Sequence, residues 1–146
     1  VIDGEAELLK GFEFNVNAKL GVTLYAPYST AIDRVAGSLT VSIPSFVPAE
    51  KIIAPSGTTH FRLVTMGAEV DFEQETFTTD SKDSGVLPWD STATPVLDLA
   101  NAVTANSTHP LFLVMGIQFY QQVAGINNPL KNGAFNALSV VKVSGV

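Results

Sequence analysis

Ser38-Leu39-Thr40-Val41-Ser42-Ile43, stopped by Pro44, alternates polar and apolar residues without a break. A period of two places Leu39, Val41 and Ile43 on one face of an extended chain and Ser38, Thr40 and Ser42 on the other, as in a strand buried on one side. Proline ends the run because it has no N–H to give to a ladder. The same period recurs in Phe12, Phe14 and Val16 against Glu13, Asn15 and Asn17. It recurs again in Leu20, Val22 and Leu24 against Lys19, Gly21, Thr23 and Tyr25, and in Val70 and Phe72 against Glu69, Asp71 and Glu73.

Turn residues cut the remainder into short extended runs. Strands are predicted near 8–16, 18–25, 32–35, 38–43, 59–65, 68–73, 96–103, 111–120 and 135–143, with Met66-Gly67 as a hairpin turn. The 45–57 connection carries Pro48, Pro55 and Gly57, and its Phe46, Val47, Ile52 and Ile53 should pack down onto a sheet. Asp80 to Pro95 reads as the most loop-like stretch, and Gly125 to Gly133 as a second loop. Leu111 to Tyr120 is the most hydrophobic run, with the length and β-branched or aromatic content of a central strand covered on both faces. No segment sustains the i, i+3, i+4 spacing of a capped helix. Many short strands punctuated by Pro and Gly imply an all-β fold. The expected architecture is a two-sheet antiparallel β-sandwich with Greek-key connections, immunoglobulin-like or fibronectin type III-like, with a jelly roll as second choice.

The 146 residues suit a single domain spanning 1–146, large enough to bury a core without staples. The absence of Cys removes disulfides, thiolate nucleophiles and Cys-type zinc sites together. A net charge of −6 with only 15% charged residues leaves no basic stripe, so nucleic acid and anionic membranes are not expected partners. No apolar run reaches the roughly 18–20 residues of a spanning helix. Mean hydropathy is +0.26 and 46% of residues are hydrophobic, which anticipates strands covered on both faces or by a neighbouring subunit. The sequence begins at Val1 rather than Met, which leads us to expect further chain upstream.

Few residues could do chemistry. His60 and His109 are the only imidazoles, they lack metal-ligand spacing, and a structural or surface role is the plainer reading. No Gly-x-Ser-x-Gly elbow, Walker loop or His-Glu-x-x-His motif occurs, so no catalytic residue, cofactor or metal site is assigned. Glu69, Asp71, Glu73 and Glu75, spaced by two, would form one row of carboxylates if all were in strand. Such a row could meet calcium, or it could simply keep an exposed edge charged. Trp89, Tyr25, Tyr28 and Tyr120 could stack on sugar faces if exposed, although Leu87-Pro88-Trp89 reads equally well as a plug over an open end of the sandwich. Asn106-Ser107-Thr108 fits the N-glycosylation acceptor pattern, and Ser91 in Asp90-Ser91-Thr92 resembles a bacterial surface O-glycosylation acceptor.

Three segments, Val1 to Glu7, Val103 to Leu113 and Leu130 to Leu138, resemble the β-rich carboxy-terminal part of a group of uncharacterised bacterial proteins. That resemblance implies a bacterial origin and a basic segment upstream, and it transfers no site. The expected function is a non-enzymatic structural module that assembles with copies of itself, as in a bacterial surface fibre or another repeating extracellular assembly. The alternative is a surface module that binds carbohydrate or another protein. The expected location is extracellular or at the cell surface.

Overall fold

The computed structural model describes residues 11, 13–15, 18–130 and 136–145. Among the described residues nine strands carry the fold: β1 (Ser29–Asp33), β2 (Ser38–Ile43), β3 (His60–Asp71), β4 (Thr76–Asp83), β5 (Leu87–Pro88), β6 (Leu97–Ala102), β7 (Leu111–Val123), β8 (Ile126–Pro129) and β9 (Ala137–Ser144). Two single-turn helices, α1 (Leu20–Thr23) and α2 (Pro48–Lys51), join them. Every pairing between these strands is antiparallel. The chain is therefore all-β, as the alternation implied.

The strands form a three-stranded sheet, β1-β2-β6, and a six-stranded sheet in the order β4-β3-β7-β8, with β5 also pairing β3 and β9 also pairing β7. In the long central pair, Phe61 opposes Phe119, Leu63 opposes Ile117, Thr65 opposes Met115 and Gly67 opposes Leu113. That face packs with Leu39, Val41, Ile43 and Leu97 of the smaller sheet in one apolar core. Side-chain bonds also bring the sheet margins together. The Asp80 carboxylate on β4 accepts from the Ala102 N–H of β6 at 2.8 Å, and Arg34, after β1, donates to the Ser144 hydroxyl of β9 at 2.8 Å. As expected, β7 is buried on both faces from Leu111 to Ile117.

Four expectations are corrected. Met66-Gly67 is not a turn, because β3 runs straight through it and the chain reverses at Phe72–Glu75. There the Asp71 carboxylate accepts from the N–H groups of Glu73 and Gln74, and Glu75 adopts φ 55°. Gly67 meets a different need: a Cβ there would lie 3.0 Å from the Asn101 Cβ of β6, so glycine permits the close approach of the two sheets. Residues 18–25 do not form a strand. Leu20 and Leu24 satisfy period two, but they are also i and i+4, and they bury together from one turn of helix while Val22 faces solvent. The polar stretch after Thr79 is not loop throughout, since β4 extends to Asp83. The expected 125–133 loop opens instead with a hairpin and β8.

The predicted amino-terminal strand lies partly outside the described residues, including Leu8, Phe12 and Val16. Gly11 donates to the Val140 carbonyl at 2.6 Å, Phe14 donates to the Leu138 carbonyl at 2.9 Å, and Glu13 bridges Ser139, so this stretch does pair with β9. Phe14, expected to be buried, is 54% exposed. It stands at the margin of the sheet, away from the main core.

Candidate functional site

The β7–β8 hairpin is the least guarded strand pair among the described residues. The β3–β7 ladder ends at His60 and Tyr120, yet β7 continues to Val123, turns through Ala124-Gly125, and returns as β8 with Val123 opposite Ile126 and Gln122 opposite Asn127. Both turn residues have positive φ, 52° and 79°, the two-residue geometry whose twist matches that of paired strands. Every residue from Gln121 to Pro129 is exposed; Val123 is 56% and Ile126 64% accessible. No charged residue occurs between Arg62's partner Gln118 and Leu130. By contrast β4, the other long exposed strand, carries Asp80, Lys82 and Asp83, with Lys82 and Asp80 paired at 2.9 Å. Charge on an edge strand discourages unwanted pairing, and β8 has none. Sequence reading missed this site because Gly125, Asn127, Asn128 and Pro129 carry turn propensity, although Ala124-Gly125 flanked by Val123 and Ile126 was a usable hairpin signal.

A polar knot closes one end of the core. Arg34 donates to the carbonyls of Ser107 (2.8 Å) and His109 (2.7 Å), and Glu69 accepts from the Thr104 N–H (3.1 Å) and the Ser107 hydroxyl (2.6 Å). Burial pushes the Glu69 carboxyl up. The hydrogen bonds from Ser107 and Thr104, with His109 nearby, outweigh that and hold its pKa below the ordinary value. The Ser107 oxygen also accepts from the His109 backbone N–H at 3.1 Å. The His109 Nε2 faces the Asp71 Oδ2 at 3.6 Å. The serine proton therefore goes to a carboxylate rather than to the imidazole, so hydroxyl and imidazole are not joined as nucleophile and base. A polar cavity of about 170 Å³ lies beside His109, Asp71 and Glu69.

The expected row of four carboxylates does not form. Glu69 and Asp71 end β3, whereas Glu73 and Glu75 lie in the following turn. Glu69 is buried rather than part of a solvated edge, because β3 is an interior strand. Among the described residues, no group of three or more His, Cys, Asp or Glu side chains is placed to hold a metal ion. His60 pairs its Nδ1 with the Thr59 hydroxyl at 2.9 Å. It begins β3 while Asp71, beside His109, ends it, so about 35 Å of strand separates the two imidazole sites.

The aromatic candidates sit on separate elements. Trp89 packs against the main core and donates its indole N–H to the Ile52 carbonyl at 3.1 Å, in keeping with the plug reading. Tyr120 donates its hydroxyl to the Gln118 side-chain oxygen Oε1 at 3.0 Å, with the Arg62 guanidinium 5.8 Å from its ring centre. Tyr28 lines a cavity with Glu13, Leu20 and Ser139, and burial followed by the Glu13 charge raises its hydroxyl pKa. Tyr25 is exposed beside Lys51, where Leu24 bridges Ile52. Both modification candidates are exposed: Ser91 in the bend after Asp90, and Asn106 at φ 58° in a turn.

No family model matches this chain, and no curated protein or solved structure matches it.

Proposed function

We propose that this protein is a non-enzymatic structural module that assembles with copies of itself by strand addition at the β7–β8 hairpin. Its two sheets would form a Greek-key sandwich of the immunoglobulin or fibronectin type III kind, repeated in a bacterial surface fibre or a comparable extracellular assembly. The observation that carries the reading is a projecting hairpin with two exposed aliphatic side chains and no charged residue of its own. Covering the exposed parts of Val123 and Ile126 would contribute roughly 1–2 kcal/mol each, and ladder bonds at β8 would set the register. Contacts that weak singly become stable in a repeating array.

The test is light scattering and electron microscopy of the native chain and an Ile126→Lys variant over a wide concentration range. The native chain should associate as concentration rises, and Ile126→Lys should stay monomeric with an unchanged melting temperature. A native chain that stays monomeric at millimolar concentration refutes the proposal. A second reading, a glycan-binding surface, rests on the exposure of Tyr25 beside Lys51, and it requires Tyr25→Ala to abolish binding in a glycan screen.

A further inference from the structure

A hairpin that adds to a neighbouring copy needs a receiving edge on that copy. Among the described residues β4 and β8 are the terminal strands in the path of the six-stranded sheet, β4 pairing with β3 alone and β8 with β7 alone. The two halves of β4 differ in character. Asp80, Lys82 and Asp83 charge the second half, and Asp80 is already bonded to the Ala102 N–H of β6. Thr76-Phe77-Thr78-Thr79, the first half, holds no charge; all four residues are exposed, and Phe77 is 74% accessible. Threonine and phenylalanine favour extended chain, whereas the Asn127, Asn128 and Pro129 of β8 are poor strand residues that gain from a stronger partner.

We propose that Thr76–Thr79 of a second copy receives β8, so that the six-stranded sheet continues from one copy into the next; this rests on assembly through the hairpin. Strand sense agrees with it. β3 and β8 run one way and β4 and β7 the other, so a copy in the same orientation presents β4 antiparallel to β8, the sense of every other pairing in the sheet. Length agrees as well, since Ile126–Pro129 and Thr76–Thr79 are both runs of four. Charge separates this pairing from its rivals. Were two Thr76–Thr79 runs to pair with each other, Glu75 of each copy would stand opposite Asp80 of the other, and like charges directly opposite are destabilising. Against β8 the same two positions meet Leu130 and Gly125, which are uncharged. Two β8 strands would join the residues least suited to a ladder, with Pro129, which has no N–H, opposite Ile126. Because β8 lies beyond the His60 end of β3 and Thr76 beside its Asp71 end, the contact joins opposite ends of the two copies. Such a heterologous contact leaves one hairpin and one edge unused at the ends, so growth continues in steps of roughly 35 Å along the strands.

The chain contains no Cys, so single cysteines report the contact. With Ile126 opposite Thr79, Asn127 stands opposite Thr78, and directly opposed Cβ atoms lie about 5 Å apart, close to disulfide range. An Asn127→Cys chain and an isotope-labelled Thr78→Cys chain would be mixed at a concentration where the native chain associates by light scattering, oxidised in a glutathione buffer, and their cross-links quantified by mass spectrometry. The disulfide between positions 127 and 78 should exceed either homotypic disulfide by about tenfold or more, because assembly holds that pair together. Phe77→Lys, at an exposed position, should prevent association as Ile126→Lys does and leave the melting temperature unchanged. If the native chain assembles but the 127–78 disulfide shows only the statistical excess of random encounter, or if Phe77→Lys associates as strongly as the native chain, the β4 acceptor is overturned while the hairpin reading stands. A native chain that stays monomeric overturns both.

Discussion

Truncating Phe61 and truncating Phe14 should have very different costs, although both belong to alternating runs. Phe61 is 0% exposed, opposes Phe119 across the β3–β7 ladder, and has its ring 6.3 Å from that of Phe46. Phe61→Ala removes the transfer free energy of a buried aromatic side chain and leaves a cavity between the sheets, at a cost of about 3–5 kcal/mol. Loss of the aromatic pair adds up to about 1 kcal/mol. In a chain of this size each kcal/mol lowers the melting temperature by roughly 2–4 °C, so the total of about 3–6 kcal/mol should lower it by roughly 6–24 °C. Phe14, 54% exposed, keeps about half of its surface in water, and Phe14→Ala should cost only about 1 kcal/mol. The assay is urea unfolding followed by Trp89 fluorescence, since this single tryptophan is tied to Ile52 and reports loss of the native core. Equal losses for the two variants would refute the assignment of Phe14 to the margin and Phe61 to the core.

Four further outcomes follow from local geometry and charge. Ala124→Asn, which suits a left-handed turn residue beside Gly125, should raise stability by about 1 kcal/mol in the same assay. Gly116→Ala would place a Cβ 2.7 Å from the Ala137 carbonyl oxygen and force β7 from β9, at a cost of about 1–3 kcal/mol. Gly21→Ala, in α1 with open space around it, should be neutral or stabilising by up to about 1 kcal/mol. The Glu69 pKa is depressed in the folded chain, so its contribution should be complete above the ordinary value of 4.5 and be lost as pH falls below it. Denaturation midpoints from pH 3 to 7 should therefore fall less steeply with acid in Glu69→Gln than in the native chain, and parallel profiles would contradict the assigned bonds.

The sequence by itself determined the strands whose environment is uniform along their length. Ser38 to Ile43 faces the core with every second residue, and Leu111 to Ile117 is buried on both sides, so pattern and burial coincide and the reading needs no knowledge of neighbours. Glycine was ambiguous because it serves both tight turns and close approach. Only the position of Asn101 on the facing sheet decides that Gly67 is the second kind. Leu20 and Leu24 satisfied two periodicities at once, and the Leu24–Ile52 bridge with the core beneath them chose one turn of helix. The hairpin and the polar knot were hidden for the same reason. The exposure of Val123 and Ile126 depends on where β3 begins, and the bonding of Glu69 to Ser107 joins residues far apart in the chain, so both are set by strand registers that local sequence does not encode.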